Sequence, residues 1–499
     1  MEQVVTAFIH MLSPVPLMYM TAGVFLGIVV GAVPGLSGSM LIALSLPLTF
    51  YMDSTNALTL LISEHIGAMT GGLITAILLR MPGTAASVVT TFDGYPMAKK
   101  GLAGRAIGVG IISSFVGGNI SWVFLLLLAP PLASLALKFG PFEFFSLVLM
   151  ALVLIASVGQ GEFLKGLISG ALGLLVACPG LDPVLGMSRL DFGFSEMAEG
   201  FGLLPVLIGL FGISQLIKDA SNIRQVYEKN TMIFKEMFFS LKEFKSHVGN
   251  MIRSSFLGTW IGILPGIGAN IGSIVAYTAA KNASKTPEKF GTGFEGGIVA
   301  SEAANNANIC GALIPLITLG IPGNPVDAIL LGALTLHDLT PGPLLFKNNG
   351  PVVYGVMAAA FYANIIMFIL TVGMTVYIAK ITNILKSILI PVIVAFCVLG
   401  TFALGNRMFD VWVMFGFGLV GFLLEKAGIP LGPFVIGIIL CPIAEEKIRS
   451  GLMLSMGSFM PLFTRPLSLF FVLVAIGVLI WSLRNEYLIH KKKKKGGLI

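Results

Sequence analysis

The stretch "GAVPGLSGSM", residues 31–40, decides how this chain folds. It lies in an apolar segment where a helix is expected to cross a membrane, yet Pro34 and Gly35 both interrupt helices. A near-copy, "GILPGIGANI", returns at residues 262–271. Each break is followed by Ser or Asn.

The 499 residues are 56% hydrophobic and 11% charged, with mean hydropathy +0.93. Soluble domains carry about 25% charged residues. Apolar runs such as 107–137 and 351–379 exceed the roughly 20 residues a helix needs to span a bilayer. A transmembrane barrel would show short alternating segments instead. The chain therefore reads as an all-α polytopic membrane protein. Its N-terminus, "MEQVVTAFIHM", lacks Lys, Arg and a small-residue cleavage site, so the first apolar segment is expected to be a retained span.

Several functions are excluded. Cys178, Cys310, Cys397 and Cys441 lie far apart in apolar surroundings, and no Cys/His spacing fits a metal or redox site. There is no HExxH and no Walker motif, so neither ATP hydrolysis nor a resident cofactor is expected. The net charge of +7 gathers at 218–253 and in "HKKKKK", residues 490–495. That distribution fits cytoplasmic loops and anionic lipid heads rather than nucleic acid.

The polar stretch 218–253 separates two sets of landmarks in the same order. "VPGLSGS" (33–39) answers "LPGIGAN" (264–270), and "SEHIGAMTGG" (63–72) answers "SEAANNANIC" (301–310). "LLRMPGTAAS" (78–87) answers "TLGIPGNPVD" (318–327), and "GQGEFLKGLISG" (159–170) answers "GNRMFDVWVMFG" (405–416). The offset drifts from 231 to 246 residues, as a duplicated unit with small insertions gives. Charge sets the relative orientation. "YMDSTN" (51–56) has no basic residue and "KKGLAGR" (99–105) has three, whereas "KNASKTPEK" (281–289) has three and "HDLTPGPLLFKNNG" (337–350) has one Lys. Corresponding loops are thus expected on opposite sides, giving inverted-topology repeats; a parallel repeat with uneven charge is the alternative. The expected organisation is a first repeat at 1–217, a basic cytoplasmic linker at 218–253, a second repeat at 254–445, and a final span with a Lys-rich cytoplasmic tail at 446–499. About 12 spans are expected, some of them broken helices or re-entrant hairpins.

Irregular backbone survives in a membrane only inside protein or beside water. The four Pro-Gly pairs, at 34–35, 82–83, 265–266 and 322–323, are therefore expected to face an internal site. Ser37, Ser39, Thr84, Ser87, Asn270, Ser273 and Asn324 follow them, and Gly35, Gly83, Gly266 and Gly323 let a ligand approach the backbone. Helix N-termini bind anions without Lys or Arg, so a carboxylate substrate fits; close helix packing by small residues is the competing explanation. Glu64 and Glu302 share one repeat position, and Asn306 follows Glu302 by one turn while Asn305 follows Ser301. Glu302, Asn305, Asn306 and Asp327 are candidate ligands for a coupling cation, Na⁺ or H⁺, unless Glu64 and Glu302 merely cap helices in water. Arg80 is expected to snorkel to the interface rather than pair with an anion.

The strings "MPGTAASVVTTFDGYPMAKKGLAGRAIG" (81–108), "GILPGIGANIGSIVAY" (262–277) and "SEAANNANICGALIPLITLGIPGNPVDAILLGALTLHDLTPGPLLF" (301–346) resemble the large membrane subunit of the tripartite tricarboxylate transporters, the TctA type. The resemblance runs from about residue 20 to 460. It implies a multi-pass protein of a bacterial or archaeal cytoplasmic membrane, importing carboxylates such as citrate on a Na⁺ or H⁺ gradient. It also implies a small membrane subunit and an extracytoplasmic solute-binding protein as partners. The chain departs from the family pattern at "MTGGLITAILLRMPG" (69–83), which leaves a different di- or tricarboxylate open. A passive organic-anion channel or a stand-alone carrier would use the same broken helices. An enzyme ranks last, since no nucleophile–base or metal set is in view.

Overall fold

Helix starts and stops are encoded locally, and most of the chain is helical. The computed structural model describes residues 2–33, 36–158, 163–182, 184–220, 234–238, 240–265, 268–381 and 386–495. α1 (Glu2–Met11) and α2 (Pro14–Gly31) lead to the first break. α3 (Gly38–Thr49) follows it, then α4 (Ser54–Leu79), whose N-cap Asp53 accepts the Asn56 N–H at 3.0 Å. A 3₁₀ turn (Ala85–Val88), α5 (Thr90–Lys99) and α6 (Ala103–Ala136) complete this part of the core.

α7 (Pro141–Val158) and α8 (Phe163–Val176) precede a two-residue hairpin, β1 (Gly180–Leu181) with β2 (Ser188–Arg189). α9 (Leu203–Leu207) continues through a π-helical turn into α10 (Ser214–Ala220). The second set opens with α11 (Leu241–Ile263), started by a capping box between Ser240 and Glu243. Then come α12 (Gly268–Ala283), α13 (Glu295–Leu319), α14 (Pro325–Leu336), α15 (Pro343–Asn348) and α16 (Gly350–Ile381). α17 (Lys386–Gly405), α18 (Met408–Lys426), α19 (Leu431–Leu454), α20 (Pro461–Thr464) and α21 (Pro466–Lys495) finish the chain. The sequence boundaries at 253 and 445 fall inside α11 and α19.

Among the described residues, six helices are long and apolar enough to cross a membrane alone: α2, α4, α6, α16, α18 and α21. Six further apolar helices are shorter. α13 is absent from both sets because it carries Glu302, Asn305, Asn306 and Asn308, yet Gly296 through Thr318 are all buried in protein. It is an interior helix.

α4 and α13 form the centre and run antiparallel. Thr70 donates to Asn306 at 3.0 Å, and further along Leu58 and Ile62 share an apolar gap with Leu313, Leu316 and Ile317. Each central helix is clasped by the helix before a break. A β-carbon on Gly27 of α2 would stand 2.3 Å from the Glu64 carbonyl oxygen, and one on Gly258 of α11 would stand 2.3 Å from that of Ala304. Only glycine permits this approach. α6 runs parallel to α13: Arg105 pairs with Glu295 at 2.8 Å near both N-termini, and Gly117 abuts Ala303.

Two ionic clusters mark the ends of this core. At the end of Lys99, Lys100 and the 281–289 loop, Arg105 bridges Glu295 and Glu243 while His247 meets Glu295 at 2.9 Å. At the opposite end, Arg189 pairs with Glu445 at 2.5 Å and Arg449 with Asp182 at 2.8 Å. The Leu185 and Val184 N–H groups, with Arg449, hold the Asp182 carboxyl down at about 2.

Candidate functional site

The breaks are built twice from the same parts. In the first half α2 ends at Gly31, and Ser37 caps α3 by accepting the Met40 N–H at 3.1 Å. Ser39 lies 3.0 Å from the Ser37 hydroxyl. Gly35 lies outside the described residues. α4 stops at Arg80, which takes a left-handed conformation (φ 57°), and the Met81 N–H returns to the Thr75 carbonyl at 3.2 Å. Arg80 is exposed and stands 5.8 Å over the Tyr95 ring, so it faces outward as expected.

In the second half α13 stops at Gly320 (φ 71°), and the Ile321 N–H returns to the Pro315 carbonyl at 3.3 Å. Asn324 caps α14, accepting the Val326 and Asp327 N–H groups at 2.9 and 3.0 Å. Asn270 is half-buried on α12, and Ser273 donates to the Ser301 carbonyl at 3.3 Å. Gly266 lies outside the described residues.

These tips gather as two pairs. Gly83 folds back beside Gly72 and reaches the Gly31 carbonyl, while Gly323 folds back beside Ala312 and reaches the Gly262 carbonyl. With Thr70 opposite Asn306, the two levels differ by about eight residues of α13, or ~12 Å along its axis. The halves also meet crosswise: α12 packs on the Ala85–Val88 turn, and α14 packs on α3.

The acidic candidates are interior. Glu64, Glu302 and Asp327 have no measurable exposure, and among the described residues none forms an ion pair with Lys or Arg. This removes the alternative in which Glu64 and Glu302 cap helices in water. Ser45 donates to Glu64 Oε1 at 2.6 Å and leaves Oε2 unpaired. Glu302 accepts from Thr90 through Oε1, and from Ser114 through Oε2 at 3.2 Å. Asn306 is engaged by Thr70 and by the Glu302 carbonyl. Asn305 lies beside Glu302, but neither amide atom reaches hydrogen-bond geometry. Asp327 lies against the backbone of Gly323 and Asn324, and both its oxygens fall outside hydrogen-bond geometry.

Sequence reasoning missed Ser45, Thr90 and Ser114, and it placed Thr70 near the site without its partner Asn306; the four hydroxyls come from four different helices. It also missed Asp93 within "DGYP". Asp93 accepts the N–H groups of Gly291, Gly293 and Phe294 at 2.8–2.9 Å, and the Tyr277 hydroxyl at 2.9 Å. This ties the first-half tip segment to the loop between α12 and α13.

A cavity of about 710 Å³ opens at the hairpin end, between α14 and the α8–α9 and α19 layer. Its walls are mainly apolar, with Glu199, Glu446 and Lys447 at the rim.

Matched helix breaks and buried, unpaired carboxylates inside a bundle of apolar helices define a multi-pass membrane protein with the organisation of a transporter. Comparison with known proteins narrows this. Residues 17–436 match the Tripartite tricarboxylate transporter TctA family. The "Uncharacterized 52.8 kDa protein in TAR-I ttuC' 3'region" of Agrobacterium vitis is 36% identical over 475 residues, covering 95% of this chain and 94% of its own length. The "Uncharacterized protein in TAR-II ttuC' 3'region" of the same organism is 33% identical over 211 residues, 42% of this chain and 87% of its own length. No solved structure matches. The chain belongs to the tripartite tricarboxylate transporter TctA family, and it is a transporter component.

Proposed function

We propose that this chain is the membrane carrier of a cation-driven uptake system for di- or tricarboxylates of the citrate kind. An extracytoplasmic solute-binding protein delivers the substrate, and a small membrane subunit completes the assembly. The end bearing Lys99, Lys100, Arg105 and the 281–289 loop is cytoplasmic, which sets the chain in a bacterial or archaeal cytoplasmic membrane. The antiparallel α4 and α13, each clasped through glycine and each followed by the same backward turn, support two repeats of inverted topology.

The observation that carries the reading is the set of unpaired buried groups at the breaks, above all the Asn305 amide and the Asp327 carboxylate. Buried polar groups are normally satisfied, and a buried charge needs a partner. Here the partners are substrate and coupling ion. Carboxylate oxygens rest on the tips carrying Ser37, Ser39, Thr84, Ser87, Asn270, Ser273 and Asn324. A cation neutralises acidic groups among Glu302, Asn305, Asn306 and Asp327. Movement of one group of helices against the other then carries both across.

Uptake of a radiolabelled carboxylate panel by the reconstituted protein, with and without its binding protein and in Na⁺ or K⁺, tests this. The reading expects gradient-dependent uptake of at least one di- or tricarboxylate, lost in Asn305→Ala. Uptake unchanged after both ion gradients are collapsed overturns the coupling, and no uptake of any carboxylate overturns the substrate class.

A further inference from the structure

Two polar side chains hold the same place on the two central helices, and neither is satisfied. Gly83 folds back beside Gly72 of α4, and Gly323 folds back beside Ala312 of α13. His65 stands seven residues before Gly72, and Asn305 stands seven residues before Ala312. Seven residues are about two turns, so each side chain lies on the face of its helix that receives its own backward turn. The residues between them on those faces also match. Ala68 lies against the start of α3, its methyl 3.0 Å from where a β-carbon on Gly38 would stand. The Asn308 amide nitrogen lies 3.8 Å from the equivalent point on Gly272 of α12. His65 and Asn305 are both buried. Neither ring nitrogen of His65 and neither amide atom of Asn305 reaches a hydrogen-bond partner among the described residues.

We infer that His65 and Asn305 are matching substrate-recognition residues, one in each half, and that the pair selects a carboxylate bearing a hydroxyl group over the same acid without it. The donor and acceptor inventory carries this step. A buried charge needs a partner, and the His65 ring has none, so it is neutral. A neutral imidazole offers one N–H donor and one bare nitrogen that accepts; a carboxamide offers N–H donors and an accepting oxygen. Both kinds of capacity are therefore open at both positions. Carboxylate oxygens only accept. They would take the N–H groups and leave the bare imidazole nitrogen and the Asn305 oxygen unpaired in the interior, which is costly. A hydroxyl donates as well as accepts, so an acid that carries one answers both demands. Ser37 and Ser39 at the start of α3, and Asn270 and Ser273 on α12, then remain for the carboxylates. The inference rests on the transport reading and names the kind of acid that reading accepts.

The test is thermal unfolding of the purified full chain, titrated with malate against succinate and with citrate against propane-1,2,3-tricarboxylate at constant ionic strength. The members of each pair differ by one hydroxyl. Ligands that bind only the native state raise the transition saturably, which yields an apparent affinity. The wild type is expected to bind the hydroxylated member of at least one pair at least about tenfold more tightly. His65→Phe keeps an aromatic ring and removes both nitrogens. It is expected to fold at least as stably as the wild type, since it deletes a buried unpaired group, and to cut the preference to within about twofold. Asn305→Leu is expected to do the same, whereas His65→Asn, which restores a donor and an acceptor, is expected to keep part of the preference. The wild-type comparison and Asn305→Leu keep the test decisive if His65→Phe does not fold. An equal or reversed preference in the wild type overturns the inference and leaves the carboxylate reading standing. A preference retained in full by either apolar variant overturns the matched pair. No shift with any of the four acids overturns the inference and the carboxylate reading together.

Discussion

The segments 80–87 and 320–327 are the same turn with different contents. Each begins with a left-handed residue closing a long buried helix, and each returns a peptide N–H to a carbonyl six residues back. Each presses its Pro-Gly against the helix that precedes the other break of its half. The first turn presses Gly83 harder against its neighbours and carries no acidic group; the second is less crowded at Gly323 and carries the buried Asp327. The two turns share a backbone course and differ in their side chains. Two turns of one backbone shape thus carry different chemistry, paired hydroxyls in the first and a buried carboxylate in the second.

The sharpest way to break this comparison is to add one methyl to each turn. Gly83→Ala forces backbone atoms of Gly31 and Gly72 apart and is expected to cost about 3 kcal/mol or more, read as loss of monodisperse folded protein. Gly323→Ala meets neighbours at 3.0–3.3 Å, tight but less severe than at Gly83, and is expected to cost less and stay folded. Equal behaviour of the two would erase the proposed difference.

Next in size is the clamp that joins the halves. Asp93→Ala strands three N–H groups and the Tyr277 hydroxyl, with an expected cost of roughly 2–3 kcal/mol. Hydrogen exchange at residues 290–295 should rise, and unchanged protection there would show that the clamp is redundant. Thr90→Val removes one of the two hydroxyls on Glu302 and is expected to cost about 1–2 kcal/mol in thermal stability. Its first-half counterpart, Ser45→Ala, removes the hydroxyl on Glu64 and should cost a similar amount; a large disparity would extend the asymmetry to the central helices.

The smallest effect concerns the hairpin end. The Asp182 carboxyl is held at about 2 against an ordinary 3.8. A depressed carboxylate stabilises the fold above its ordinary value and loses that contribution as pH falls through the depressed one. The hairpin is therefore expected to hold at pH 5 and loosen between about pH 4 and 2. Protease nicking at 183–194 reads this directly, and Asp182→Asn should be nicked equally at both ends of that range.

Much of the fold was legible because its signals are local. Ser37 and Asn324, expected as caps from their place after the breaks, cap helices through bonds spanning two or three residues; Asp53 and Ser240 do the same by equally local bonds. The hydroxyl partners of the carboxylates were not legible. Thr90 and Glu302 are 212 residues apart, and Ser114 and Glu302 are 188 apart. No pattern in an apolar helix tells which Ser or Thr will face an acidic group rather than its own backbone. Asp93 was hidden for the same reason, its partners lying some 200 residues ahead in a loop that gives no sign of needing an acceptor.

The sequence by itself determined the membrane class, the positions of the breaks and two of their caps, Ser37 and Asn324, because run length, Pro-Gly pairs and N-caps act within one or two helical turns; Thr84 makes no cap bond and Asn270 lies inside α12. It also placed Glu64 with Glu302, and Ser87 with Asp327, at matching positions. Only the tertiary structure decided that Gly83 is pressed much harder against its neighbours than Gly323. That difference depends on how closely α2 and α11 approach the tips, and so on contacts between residues some 50 to 60 positions apart.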